Sequence, residues 1–536
     1  MRAAPDAFAG LPGAVDALHG AAALNMDFLG MNLSETPSAS DLTVLIPILS
    51  GLSALALCLV QNRFNVLQET AGFASKWGMT IFLVAFSSYF AAALPSGLGL
   101  YWTAGNLISI PVLGFCNLVY SPKKYIDYEA MAARRIDTPE EKRAARAEKK
   151  ALAARSKQDM RRFFAEGARH ELVLYSEASG FYKYFKGYIG HILENSDIDI
   201  HYVTSDPEDG VFRSEEPRIK PYYANDKDLV ALFMKMDADI FLMTTPDLDR
   251  YHLKRSLVSK EVEYIYTDHG MSSLQLMFRE GAFDGFDTVF ACGPNYISEI
   301  RQTEYVYGLR PKTLVRTGYA LFDELLERVA SIRQEEGARK KVLIAPSWQK
   351  DNILDLCLDQ LVEGLSGRGF DIIIRPHPEF VKRFPHKAER IRERYADRLG
   401  RDMELETDFS SNVSVYTSDV IVTDWSSVAQ EFSYTTKRPS VFVNTPMKVM
   451  NQNYGKIRAV PLDISLRDEI GVSVDVGDLG AVGGLCEKLI AEKDSWHDRI
   501  AETVERNVYN IGDGARNGGD YIIKRIEYKR EKRAPW

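Results

Sequence analysis

Val420-Ile421-Val422-Thr423-Asp424-Trp425-Ser426-Ser427-Val428-Ala429-Gln430-Glu431 is the stretch that decides the fold. A β-rich run leads into a tight turn and then into a helix beginning near Ser426, the junction found where a parallel strand ends. The same alternation recurs in both directions from it. Strands are predicted at 172–175, 198–203, 240–244, 262–266, 288–291 and 314–316, and again at 342–345, 372–375, 420–423 and 440–443. Helical patterns fall between them, at 229–236, 296–305, 322–333, 354–365, 381–395 and 427–435. Strand–helix alternation builds parallel sheets with helices on both faces. Two such series predict an α/β architecture of two Rossmann-like domains facing a cleft, over 169–335 and 336–536.

Ligands of open α/β sheets bind beyond the carboxyl ends of the strands, and three such ends carry chemistry. Val420–Glu431 offers free backbone N–H groups at a helix start together with the Ser426 and Ser427 hydroxyls, which suits an anion. Ser and Asp are also ordinary helix caps, so this reading rests on the three segments taken together. Ile372-Ile373-Ile374-Arg375-Pro376-His377-Pro378-Glu379 delivers an arginine and a histidine to a strand end, with two prolines stiffening the turn. Arg375 has a planar fork that fits phosphate oxygens or, equally, pairs with a carboxylate. His377 can donate to a phosphate or stabilise a leaving group. Tyr264-Ile265-Tyr266-Thr267-Asp268-His269-Gly270-Met271 places an imidazole at the cleft beside a glycine that permits close approach. An imidazole with an ordinary pKa near 6.5 accepts a proton at neutral pH; the alternative is a capping or core histidine.

The composition is that of a globular chain: 536 residues, 46% hydrophobic and 26% charged, which excludes collagen-like and wholly disordered classes. Five scattered cysteines without a CxxC pair argue against a disulfide scaffold or a cysteine zinc site and fit a reducing compartment. A net charge of −8 supplies no cationic field to recruit nucleic acid. The average conceals an asymmetry. Residues 42–60 and 77–120 contain no charged side chain, and about 20 apolar residues cross a bilayer as a helix. Pro95-Ser96-Gly97 breaks the longer stretch, so three spans are predicted, near 42–60, 77–94 and 98–120. Residues 121–162 then carry 13 Lys and Arg against 7 Asp and Glu. A basic flank places that side in the cytoplasm, leaving a tail, 1–41, outside. The Ala/Lys/Arg/Glu-rich part of the 121–168 linker predicts a solvated helix, which either binds anionic headgroups or only spaces the membrane part from the α/β domains.

His269-Gly270, Ala345-Pro346-Ser347-Trp348, Arg375-x-His377-Pro378 and Thr423-Asp424-Trp425-Ser426-Ser427 with Glu431 occur in the order seen in CDP-glycerol glycerophosphotransferases of teichoic acid synthesis, which residues 170–525 resemble. The resemblance implies a GT-B fold, with the acceptor on the N-terminal domain and the nucleotide mainly on the C-terminal one. It implies His269 as base on the acceptor hydroxyl, with His377, Ser426 and Ser427 on the donor pyrophosphate and Arg375 in support. Asp424, Glu431, Ser347 and Trp348 fall in the same donor motifs. Gly318, in Thr-Gly-Tyr-Ala-Leu-Phe-Asp with Asp323, matches the turn between the domains. Two departures line the expected cleft. Asp268-His269-Gly270-Met271-Ser272 stands where the family usually has Trp-His-Gly-Thr-Pro, and Trp348-Gln349-Lys350-Asp351 where it has Trp-Arg-Asp.

Near the N-terminus, Phe28-Leu29-Gly30-Met31-Asn32-Leu33, Ile46-Pro47-Ile48-Leu49 and Leu94-Pro95-Ser96-Gly97-Leu98-Gly99-Leu100-Tyr101-Trp102 with Asn106 resemble the last three spans of YidC-type membrane insertases. The front half of that core, with its intramembrane arginine, has no counterpart here, and the spans contain no charge, so an anchor is expected and not a working insertase. The combined expectation is a multi-pass cell-membrane protein with a cytoplasmic transferase that passes glycerol phosphate from CDP-glycerol to a lipid-linked acceptor. No cofactor and no protein metal site are expected, and metal dependence is left open. The alternatives are a related GT-B polymer transferase using a ribitol-phosphate or sugar donor, and an assembly factor whose C-terminal part is a binding module.

Overall fold

A strand buried on both faces needs an almost unbroken apolar run, whereas a helix in lipid needs a longer one. Both kinds of run fold as their lengths dictate in the computed structural model, which describes residues 26–64, 73–121, 139–165, 169–332, 338–409 and 412–533. The chain divides into two compact units, Met1–Ala132 and Ala133–Trp536. The first 25 residues of the predicted outer tail, and the part of the basic linker at 122–138, lie outside the described residues.

The first unit is built on α1 (Leu45–Phe64), α2 (Phe73–Ala93) and α3 (Ser96–Val119), preceded by a short hairpin at 27–32. The break falls at Pro95, as its turn sequence requires, since a proline cannot continue the preceding helix's hydrogen bonds. Two segments, Leu42–Phe64 and Ser96–Val119, have the length and hydropathy to cross a membrane. The predicted middle span is helical but is not among them; α2 opens with Lys76 in its first turn. The helices meet along small polar side chains. Ser50 Oγ lies 2.8 Å from Ser87 Oγ, and the Asn106 amide donates to Ser53 Oγ at 3.1 Å. Small residues and side-chain hydrogen bonds hold helices together where no hydrophobic drive exists between them. Large apolar side chains such as Ile81, Phe82, Ile108, Phe115 and Leu118 remain exposed.

In the second unit, β1 (His170–Ser176), β2 (Ile200–Thr204), β3 (Ile219–Tyr223), β4 (Ala238–Met243), β5 (Glu263–Tyr266), β6 (Thr288–Ala291) and β7 (Thr313–Arg316) form an all-parallel sheet of order β3-β2-β1-β4-β5-β6-β7. A second parallel sheet joins β8 (Lys341–Ile344), β9 (Asp371–Ile374), β10 (Met403–Leu405), β11 (Val420–Thr423), β12 (Ser440–Asn444) and β13 (Gly471–Asp475) in the order β10-β9-β8-β11-β12-β13. Each sheet reverses direction at its first strand, and β11 sits beside that switch point, where Rossmann-like sheets open their ligand crevice. The result is a GT-B-like pair of Rossmann-like halves.

Two segments join differently from their place in sequence. The basic helix α4 (Pro139–Ala165) is docked, not solvated, over its last turns. Met160 and Phe163 enter the first half's core, Ser156 Oγ donates to Asp228 Oδ2 at 2.5 Å, and Asp159 accepts the Tyr223 N–H at 3.0 Å. The C-terminal helix α8 (Gly514–Arg533) packs on the first half although the domain boundary read from sequence places it in the second. Its Ile522, Ile523 and Ile526 bury against Phe185 and Ile189 of α5 (Tyr182–Asn195), and Ala515 N–H donates to Asp323 of α6 (Ala320–Ser331) at 2.8 Å.

Candidate active site

In the first half, the chain leaves β5 through Thr267-Asp268-His269-Gly270. Asp268 is buried, and its carboxylate accepts from the Tyr266 hydroxyl at 3.2 Å, the His269 N–H at 2.8 Å and the Tyr296 hydroxyl. Burial still wins over these three donors and pushes its pKa up to about 7. The loop is thereby pinned, and it presents the His269 ring among Phe181, Tyr184 and Phe278, with ring centroids 5.7, 6.0 and 6.1 Å away. His269 Nδ1 is 3.9 Å from Asp268 Oδ1, beyond a hydrogen bond, and the side chain is 36% exposed.

In the second half, β9 and the prolines after it deliver His377, which caps the short helix Pro378–Arg383 by accepting the Glu379 N–H at Nδ1, 3.1 Å away. A neutral imidazole that accepts at Nδ1 carries its proton on Nε2 and so keeps a donor for a ligand. Trp348 lies beside it, with ring centroids 6.4 Å apart. Ser347 and Trp348 are held by Asp424, whose buried carboxylate accepts N–H groups from Ser347 at 2.7 Å, Trp425 at 2.6 Å and Ile353 at 3.2 Å. Asp424 therefore ties together the loops after β8 and β11 and has little capacity left for a ligand. The Ser347 hydroxyl is buried without a partner. Ser426 and Ser427 precede α7 (Val428–Thr436), and Glu431 on that helix accepts the Tyr319 hydroxyl at 3.2 Å.

The halves meet at these residues. A side-chain carbon on Gly270 would stand 2.9 Å from Ser427 Oγ, so glycine is what allows the histidine loop to approach the serine turn. A charge on His269 reaches His377. Although a third of the side chain is exposed, Nδ1 itself is buried, and burial, followed by the ammonium of Lys448 and with a smaller push from Lys183, holds His269 near 4. Burial, then Lys448, His269 and Lys183, brings His377 down to about 3. Both rings are therefore neutral at neutral pH. Neither lysine is announced by a sequence motif. Lys448 lies in the irregular connection after β12, and Lys183 in a helix, α5, outside the predicted set. A cavity of about 730 Å³ lies instead at the opposite ends of β5, β6 and β7, and Arg255 and Arg525 on its wall are paired with Asp287 and Glu263.

Two more of the predicted residues make structural contacts. Arg375 takes its structural alternative: it pairs with Glu406, donates to Asn412 Oδ1 at 2.6 Å and is buried. Gly318 adopts φ +87° against the carbonyl of Tyr509, which a side-chain carbon would strike, and so seats the segment crossing back to α8. Among the described residues no group of three His, Cys, Asp or Glu is arranged to hold a metal ion.

The anion-binding capacity of the second half is directly testable. His377→Ala, or Ser426→Ala combined with Ser427→Ala, is expected to weaken CDP affinity in a calorimetric titration by about 1.5–3 kcal/mol per lost charged hydrogen bond. Unchanged affinity in both variants rules this edge out as the phosphate site.

Comparison with known proteins gives the family. A search of curated protein sequences returns no match. Similar solved structures include the wall teichoic acid polymerase TagF, at 14% identity and TM-score 0.43, covering 72% of this chain and 98% of that one. Another is a glycosyltransferase from Rickettsia africae, at 13% identity and TM-score 0.44, covering 67% and 99%. A third is sucrose-phosphate synthase from Thermosynechococcus elongatus, at 13% and 0.43, covering 67% and 100%. The family model described as CDP-glycerol:poly(glycerophosphate) glycerophosphotransferase matches residues 192–459, half of the chain, and spans the His269, His377 and Ser426–Ser427 segments. The chain belongs to the CDP-glycerol:poly(glycerophosphate) glycerophosphotransferase family and is a transferase.

Proposed function

We propose that this glycerophosphotransferase works at a membrane surface on a lipid-linked polymer, with His269 as the base and the turn after β11 together with His377 as the donor phosphate site. The observation that carries the reading is the close approach of Gly270, next to His269 in one half, to Ser427 of the other, with His377 within electrostatic reach of His269. In the reaction the acceptor hydroxyl oxygen bonds to the phosphorus bearing the glycerol. The bond from that phosphorus to the bridging oxygen breaks, and CMP departs with the electron pair. His269, neutral at Nδ1 or Nε2, takes the hydroxyl proton. His377 Nε2–H and the N–H groups and hydroxyls at the start of α7 oppose the charge that develops on the phosphates. Domain 169–335 with α8 presents the acceptor side, and 336–513 the nucleotide side. The test is a donor panel of CDP-glycerol, CDP-ribitol and UDP-sugars: CMP release and chain growth are expected with CDP-glycerol, and turnover of a UDP-sugar alone would reject the reading.

The apolar unit serves as an anchor in this proposal, supported by the two helices of spanning length and by the exposed apolar side chains around them. Confinement to a membrane raises the effective concentration of a lipid-borne acceptor. Removing residues 1–120 is therefore expected to preserve turnover of a water-soluble acceptor analogue while sharply lowering activity on acceptor in vesicles. An unrelated anchor of the same topology should restore that activity. If the unrelated anchor is inserted at normal levels and activity stays low, the spans themselves take part, as the resemblance to YidC-type insertases would allow, and the anchor role falls.

A further inference from the structure

We infer that Lys448 is the cation that neutralises the donor's pyrophosphate, an assignment that rests on the donor site proposed above. The requirement comes first. Moving a phosphoryl group out of a diphosphate builds charge on the bridging oxygen, and a buried site for two adjacent phosphates needs a positive group to oppose it. Arg375, the strand-end arginine, is committed to Glu406 and Asn412. Lys448 is in a different condition. Its ammonium stands 5.8 Å from the Trp348 ring centroid, on the ring that neighbours His377. Among the described residues no carboxylate lies within 4.0 Å of it. The two carboxylates whose charge reaches it, Asp463 and Asp424, are already bound to backbone N–H groups of Ser273 and of Ser347, Trp425 and Ile353. A half-buried ammonium with no carboxylate in contact is a costly arrangement that an incoming anion relieves.

The connection that carries Lys448 is built to hold it there. The Gln349 side chain donates to the Pro446 carbonyl at 3.1 Å, tying the residue after Trp348 to the start of the loop. Beyond Lys448 the loop latches onto the first half: Met450 N–H donates to Leu276 O at 3.0 Å, Asn453 Nδ2 to Glu280 Oε2 at 2.6 Å, and Ala459 N–H to Gln302 Oε1 at 2.8 Å. The residue is thus fixed from both sides of the cleft. Its charge acts on both imidazoles, in keeping with its place over the Trp348 ring beside His377.

The experiment compares Lys448→Met and Lys448→Arg with the wild-type full-length chain, using CDP and cytidine as probes. Methionine keeps the alkyl stem against Trp348 and removes the charge alone. The expected result is a 10- to 100-fold loss of CDP affinity in Lys448→Met, unchanged cytidine affinity, and partial recovery of CDP binding in Lys448→Arg. CDP affinity within twofold of wild type overturns the assignment, and so does a parallel loss for cytidine, which would mark a displaced loop. If the wild-type chain itself ignores CDP, the donor site is what fails, and Lys448 falls with it.

Discussion

Replacing His269 with alanine is expected to reduce glycerophosphate transfer by roughly 10²- to 10⁴-fold, the range that a positioned general base contributes, while CDP affinity stays within several-fold of wild type. The asymmetry follows from where the ring sits. Its loop is anchored to the first half through Asp268, Tyr266 and Tyr296, and its contacts are aromatic rings, not the serine turn that would hold phosphate. A base with a pKa held near 4 by burial and two ammonium groups is weak in the free enzyme. Two donor phosphates would offset those ammonium charges and raise the imidazole toward its ordinary value. The sign of the pH dependence is then fixed: protonation removes the base, so activity is lost as pH falls. The acid limb should lie near 4 in kcat/KM, which reports the free enzyme, and at higher pH in kcat, which reports the complex. CMP release by His269→Ala at the wild-type rate, or limbs that coincide in the two profiles, would remove His269 from proton transfer.

Much of the fold is legible because its central strands are written in one letter class. Leu172-Val173-Leu174, Val342-Leu343-Ile344, Ile372-Ile373-Ile374 and Val420-Ile421-Val422 are buried on both faces, and only an apolar run survives that environment. Three of the four edge strands escape for the converse reason. Ile219–Tyr223 contains Lys220 and Pro221, Met403–Leu405 contains Glu404, and Gly471–Asp475 opens on glycine and closes on aspartate. Each has a neighbour on one side only, so half of the burial pressure is missing. The return of α8 to the first half is illegible because its partners, Phe185 and Asp323, lie far ahead of it in the chain, and no local pattern encodes such a distance. The docking of α4 is hidden likewise. A helix of strongly charged composition reads as solvated, and Met160 and Phe163, the residues that bury it, are too few to set the average.

For the site, strand ends are a good guide to histidines and serines and a poor one to cations. His269, His377 and Ser427 arrive together because topology brings the carboxyl ends of β5, β9 and β11 to one crevice. Arg375 shares that position in sequence, yet Glu406, delivered by β10 on the neighbouring strand, claims its guanidinium. Nothing in Arg-Pro-His-Pro announces the partner. Lys448 is the reverse case: it stands in a connection with no periodicity, and its role emerges only from which loops lie across from it.

Asp424→Ala should produce the largest loss of stability in the second half, roughly 3–5 kcal/mol, because it deletes one acceptor and strands three buried donors. The carboxylate takes N–H groups from Ser347, Trp425 and Ile353, and it is buried, so water cannot readily replace it. Each buried amide left without a partner costs about 1–3 kcal/mol, and partial relaxation of the three loops keeps the total below the simple sum. Asp424→Asn preserves a carbonyl oxygen for part of this set, and it should cost less than half as much. The measurement is urea unfolding of residues 133–536, with the shift in midpoint taken at constant slope, alongside CDP titration of each variant below its transition. Stability should fall in the order wild type, Asp424→Asn, Asp424→Ala, while the Ser426→Ala, Ser427→Ala double variant unfolds like wild type and loses CDP binding. The two sets of residues are adjacent in sequence, and the proposed site divides the labour between them: serines for the ligand, and the aspartate to hold up the turn that presents them. An Asp424→Ala protein that unfolds at the wild-type midpoint yet no longer binds CDP would reverse that division and make Asp424 a direct donor contact, as the family motif alone would suggest.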